Sequence, residues 1–158
     1  MGNPPFIGNK RMRDALEDGY VQALRSAWPE VPASADFVMF WWHKAAESLT
    51  QGKTRCGGLI TTNSISQTFN RAVIQAALAR GGRHAWAMPD HPWVDGVSGA
   101  QVRVAMSAID RRTGDPGTLW KMTSEVVDTE GAFVVGLAAH AGVISAVSTS
   151  ASRHWSAR

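Results

Sequence analysis

Four residues near the start of the chain, Asn3-Pro4-Pro5-Phe6, have the types and the spacing for chemistry on a planar amine. Two consecutive prolines fix φ twice and remove two backbone donors, so the peptide is a rigid extended turn whose carbonyls stay free to accept hydrogen bonds. An amide precedes the prolines and an aromatic ring follows them. Methylation of an exocyclic amine on a flat base needs this set. The Asn side-chain oxygen and a proline carbonyl accept the two amine hydrogens, lone-pair density gathers on nitrogen, and the ring stacks on the base. The alternative is a loop with no chemistry, since the same residue types make ordinary turns.

Other reactive residues point elsewhere or nowhere. The five histidines, His43, His84, His91, His140 and His154, include no pair at metal-ligand spacing near a third ligand, so no metal site is expected. Cys56 is the only cysteine, which excludes an internal disulfide and a cysteine-built zinc site. It reads as a small residue beside a buried strand, and cytoplasmic is the default location. Lys10, Arg11 and Arg13 follow the turn closely. They are either phosphate contacts or the solvated start of a helix.

The chain of 158 residues is long enough for one domain with a real core, and 44% hydrophobic with 18% charged residues fits a globular protein rather than a disordered one. A formal net charge of +3 and a pI near 9.5 allow a polyanionic partner without requiring one. The N-terminus has no basic region followed by an apolar run, and no apolar stretch approaches a membrane span, so neither a secretory signal nor a membrane partner is expected.

The elements that must carry the turn can be read in order. Met12, Leu16, Tyr20, Leu24 and Trp28 recur every fourth residue and predict one helix, stopped by Pro29 and Pro32. Ser34 as N-cap and Asp36 in the first turn predict a second helix with an aromatic stripe through Phe37, Val38, Phe40, Trp41, Ala45 and Leu49, ending near Gly52. Trp41 and Trp42 cannot both point inward, because helix neighbours diverge by about 100 degrees. Cys56 to Thr62 predicts a buried strand, Phe69 to Arg80 a helix closed by Gly81 and Gly82, and His84 to Met88 a strand broken by Pro89. This rhythm predicts a parallel α/β sheet. Asp90 to Gly96 reads as a turn-rich loop holding Trp93. Val102, Val104, Met106 and Ala108 then predict the buried face of an antiparallel strand near a sheet edge. Beyond Asp110, Trp120 to Val127 and Ala132 to Val135 suggest a hairpin, and the Ala/Ser/Gly-rich end from Leu137 is expected to be poorly ordered.

The order of these pieces is more specific than any one of them. An Asn-Pro-Pro-aromatic turn, a helix opening Ala-Asp-Phe, a Gly-Gly-Leu-Ile-Thr-Thr-Asn-Ser strand end, and a Pro-Trp loop before a Val-Arg-Val strand resemble the catalytic half of class I SAM-dependent DNA adenine amino-methyltransferases of the MmeI-like restriction-modification group. The resemblance covers about residues 2 to 110. It implies an α/β fold, the second half of a Rossmann-like methyltransferase sheet, with residues 1–110 as a partial catalytic domain and 111–158 as a divergent tail. It implies S-adenosyl-L-methionine as cofactor and DNA as partner. It also implies that Asn3, Pro4, Pro5 and Phe6 are catalytic, that Trp93 packs on the flipped base, that Trp41 approaches the cofactor's adenine, and that Lys10, Arg11 and Arg13 contact DNA. Asn63, at a strand's carboxyl end, is either a ligand contact or a structural cap.

One departure shapes the expectation. In such enzymes the Gly-rich cofactor loop and its acidic partner precede the turn, whereas here only Met1 and Gly2 do. The one displaced candidate, Gly136 to Gly142, lacks a close Gly-x-Gly pair and a nearby acid. The sequence therefore suggests a chain that begins inside a longer gene, by a mis-called or truncated start, with a tail degraded or frame-shifted. The competing functions are methylation of RNA or of a protein glutamine, and an inactive remnant or nonspecific nucleic-acid-binding fragment.

Overall fold

In the computed structural model, residues 1–94, 101–127, 129 and 133–146 are described. The order is α1 (Met12–Leu16), α2 (Asp18–Ala27), α3 (Val38–Thr50), β1 (Cys56–Thr62), α4 (Thr68–Ala79), β2 (Arg83–Val94), β3 (Gln101–Asp110), β4 (Gly117–Val127) and β5 (Phe133–Gly142), with short 3-10 turns at Asn9–Arg11 and Asn63–Ser66. The strands form one sheet in the order β1-β3-β2-β4-β5. Only β2 and β4 pair in parallel; the other neighbours are antiparallel. The adjacent parallel strands that the sequence rhythm suggested are thus replaced by a mixed sheet. β1 and β2 do run the same way, but β3 lies between them, so β3 is an inner strand and not an edge.

The single helix expected over residues 12–28 is broken at Glu17, the one described non-glycine residue with positive φ (66°). A four-residue spacing drifts about 40° per step on a helix of 3.6 residues per turn, so five such residues cannot share one face. The break resets the phase. Met12 and Val21 are buried, Leu16, Leu24 and Trp28 pack against the core, and Tyr20 is left exposed. In α3, Trp42 is buried while Trp41 is half exposed. Ser34 does not cap this helix, whose first residue is Val38 and which has no side-chain cap.

Helices α3 and α4 pack on one face of the sheet, and the residues meeting them on β3 are Ala105, Ser107 and Ile109, all buried. The expected buried face of β3 holds at Val104, which is fully buried, whereas the helices pack on the other face. Small side chains at 105 and 107 let the helices approach closely, while Met106 and Ala108 lie half-buried on the opposite face. There Ile60, Met106 and Met88 stand in register across three strands. Cys56 is exposed at the start of β1, not buried beside it.

Strand β2 runs through both of its internal prolines to Val94. The register shifts between Met88 and His91, leaving Pro89 and Asp90 outside the ladder with β3, so the missing Pro89 donor costs no hydrogen bond. The expected loop at 90–96 is therefore strand as far as Val94, and residues 95–100 lie outside the described residues. β4 and β5 form an antiparallel pair from Gly117↔Gly142 to Val127↔Phe133, so Leu137–Gly142 is paired strand. Residues 147–158 lie outside the described residues.

Candidate functional site

The turn is anchored from its first residue. Gly2 bridges to Leu59 in parallel, its N–H donating to the Gly58 carbonyl (2.9 Å) and its carbonyl accepting from the Ile60 N–H (3.0 Å). The chain therefore leaves Gly2 along the direction of β1 and delivers Asn3-Pro4-Pro5-Phe6 to the end of the sheet where β1 finishes. β2 finishes at the same end, because both strands run antiparallel to β3. Thr62 and His91 each stand opposite Val104, and Trp93 opposite Val102. Asn3 and Trp93 are thus brought to one end of the sheet from positions 90 residues apart in sequence, and Trp93 is 39% exposed.

Within the turn Pro4 is buried and Asn3, Pro5 and Phe6 are exposed. Burial of one proline holds the backbone while its neighbours face outward. Phe6 lines an open cleft of about 770 Å³ with Ile7, Gly8, Asn9, Lys10 and Arg11 on one side of the sequence and Ser34, Asp36, Val38, Thr62, Ser64, Gln67 and Phe69 completing it. A volume of this order accommodates a nucleobase and its sugar. Two phenyl rings, Phe6 and Phe69, are exposed in its wall, and Lys10 and Arg11 supply positive charge.

The remaining expected residues, Asn3, Pro4, Pro5, Trp93, Arg13 and Trp41, are not part of the cleft lining. Arg13 forms an exposed ion pair with Asp18 at 3.3 Å. Trp41 lines a second, smaller groove of about 140 Å³ with Tyr20, Leu24, Trp28, Phe37, Phe40 and Lys44. Its ring meets Phe37 edge-on, and the Lys44 ammonium sits 4.7 Å from the Trp28 ring centroid.

Asn63 is a structural link: its Nδ2 donates to Asp90 Oδ1 at 2.9 Å. Arg103 closes on the same carboxylate with two hydrogen bonds (2.5 and 2.9 Å) and reaches Glu125 Oε2 at 3.0 Å. Burial acts to raise the Asp90 pKa, but the Arg103 fork and the Asn63 amide outweigh it and hold the carboxyl below its ordinary value. The link ties the irregular part of β2, three residues before Trp93, to the turn that follows β1 and to β3 and β4.

Sequence reasoning missed Asp36, Ser64 and Phe69 as parts of the cleft and Asn70 as the buried amide behind them. Their local pattern places Asp36 at a helix start and Phe69 on a helix face. Nothing in the sequence pairs Asp36 with Asn70, 34 residues away.

The sequence model of the family described as "MmeI, DNA-methyltransferase domain" matches residues 1–121. The chain belongs to this family. Among solved structures, the Type IIL restriction-modification enzyme MmeI in complex with DNA matches with a TM-score of 0.65 and 22% sequence identity, over 85% of this chain and 18% of that one. The α/β fold is therefore shared with MmeI, and this chain spans less than a fifth of that protein's length. No curated protein matches the chain significantly. No described helix is long and apolar enough to cross a membrane, and no group of three or more potential metal ligands occurs among the described residues.

S-adenosyl-L-methionine, the donor implied by the resemblance, carries a ribose, a sulfonium and an amino-acid end. The Trp41 groove offers rings and one ammonium but no carboxylate in its lining, and about 140 Å³ is below the roughly 300 Å³ from which small-molecule sites begin. These residues alone do not fit the donor.

Proposed function

We propose that this chain is the base-binding part of a DNA adenine amino-methyltransferase of a restriction-modification system, acting in the cytoplasm with S-adenosyl-L-methionine as methyl donor. The observation that carries the reading is the delivery of an Asn-Pro-Pro-Phe turn, by the Gly2 bridge, to the edge of a cleft walled by exposed phenyl rings. Asn3 Oδ1 and the Pro4 carbonyl accept the two hydrogens of the target amine, which leaves the nitrogen lone pair free to attack. Phe6 stacks on the adenine, with Trp93 as the second ring. Each stacked ring contributes about 1–3 kcal/mol, comparable with the few kcal/mol that extruding a base costs. Lys10 and Arg11 hold phosphates and set register without reading sequence.

The test compares a duplex bearing one adenine opposite an abasic site with the fully paired duplex, by fluorescence anisotropy. Extrusion is cheapest for an unpaired base, so base capture gives tighter binding to the abasic duplex, about tenfold or more if a few kcal/mol are spared. Thymine in the same position is the control. Phe6→Leu is expected to abolish the preference for adenine while leaving affinity for the paired duplex unchanged. Equal affinity of the unaltered chain for all three duplexes contradicts the reading and favours nonspecific attraction by the basic residues.

A further inference from the structure

Asp36 precedes α3 and joins three separated parts of the cleft. Its Oδ1 accepts from the Asn9 backbone N–H at 2.8 Å, three residues beyond Phe6. Its Oδ2 accepts from Asn70 Nδ2 at 2.8 Å, and its own N–H donates to Asn70 Oδ1 at 2.9 Å. Asn70, 2% exposed on α4, spends its other amide hydrogen on the Ser64 carbonyl at 2.8 Å. Every polar hydrogen of the amide is used, and the direction of each bond is fixed by chemistry. The Asn9 side chain is held in turn by Arg25 from α2 (2.9 Å), and the Ile7 carbonyl accepts from the Phe37 N–H (3.0 Å).

We propose that Asp36, clasped by Asn70, is the positioning residue that fixes the Phe6-bearing turn against the Ser64 wall of the cleft, setting where a captured base can stack. This assignment rests on the base-binding reading above. Two bonds tie the turn to the segment before α3, the Phe37 N–H to the Ile7 carbonyl and the Asn9 N–H to Asp36, and of these the Asp36 carboxylate alone continues through Asn70 to the wall at Ser64. A carboxylate is required because both of its oxygens face donors. The isosteric amide of Asp36→Asn turns an N–H₂ toward either the Asn9 N–H or the Asn70 N–H₂.

The reciprocal pair Asp36→Asn with Asn70→Asp restores acceptor against donor between residues 36 and 70 and at Asn9, but turns a carboxylate oxygen toward the Ser64 carbonyl and so loses that bond at a cost. The experiment measures the adenine-over-thymine preference on abasic duplexes, affinity for the paired duplex, and the unfolding midpoint, for the unaltered chain, Asp36→Asn and the reciprocal pair. Asp36→Asn is expected to lose the adenine preference about tenfold with paired-duplex affinity unchanged, and the reciprocal pair to recover part of it. A preference retained in Asp36→Asn overturns this assignment and leaves the base-binding reading standing. A loss that the reciprocal pair does not recover, following the drop in unfolding midpoint, overturns it in favour of a purely structural role. No preference in the unaltered chain overturns both.

Discussion

Acid should destabilise this protein through His84 well before its carboxylates titrate. The imidazole is 2% exposed, meets Trp42 edge-on with ring centroids 5.9 Å apart, and neither ring nitrogen has a hydrogen-bond partner among the described residues. Burial alone lowers its pKa from 6.5 to about 4. The unfolded chain therefore binds a proton between these values that the folded chain refuses, so stability falls as pH drops through that window. The full difference is about 3 kcal/mol, and by pH 4.5 about 2 kcal/mol of it is lost relative to pH 7. With a urea slope of about 2 kcal/mol per molar, the unfolding midpoint should move down by about 1 M. Burial and the nearby Arg80 lower the His43 pKa as well and add to the slope, so the informative quantity is a difference between proteins. His84→Phe keeps the ring against Trp42 and removes the proton. Urea midpoints of both proteins at pH 7 and pH 4.5 should differ in slope by about 2 kcal/mol. An identical slope in His84→Phe refutes the assignment of acid sensitivity to this buried ring.

Asp110, 2% exposed, is paired with Arg83 and Arg112, each at 2.7 Å; burial opposes its ionisation, but these partners hold the carboxyl below its ordinary value. Its contribution is present above pH 4 and lost as pH falls through the lowered folded pKa; Asp110→Ala should cost about 1–3 kcal/mol at pH 7, measured by urea unfolding, because the freed arginines can partly rehydrate. Trp93→Ala should reduce the adenine preference on abasic duplexes about tenfold while affinity for paired DNA stays unchanged, since backbone charge contacts supply most of that affinity. Unchanged preference removes Trp93 from the site.

What could be read from the sequence was local. Asn3-Pro4-Pro5-Phe6, the Gly-closed α4 and the aromatic α3 each follow from residues a few positions apart, and the rigid proline pair announces its own geometry. The break at Glu17 escaped because a four-residue repeat resembles a helix face until the angular drift is summed. On β3 the expected face is buried at Val104, but the helix-packed face is the other one, because Ala105 and Ser107 look unremarkable beside Val102 and Met106 although their small size suits the packed helices. Strand order, the Arg103 fork on Asp90 and the Asp36–Asn70 clasp depend on chain segments far apart in sequence, and no periodicity encodes them.

In the proposed function, Asn3 and the Pro4 carbonyl prepare an adenine amine for methylation. The most direct measurement is transfer of a radiolabelled methyl group from S-adenosyl-L-methionine to adenine in DNA, by a protein carrying this segment together with a cofactor-binding half. Asn3→Ala is expected to abolish transfer while leaving affinity for the methyl donor largely intact. Full transfer by Asn3→Ala would remove Asn3 from the catalytic site.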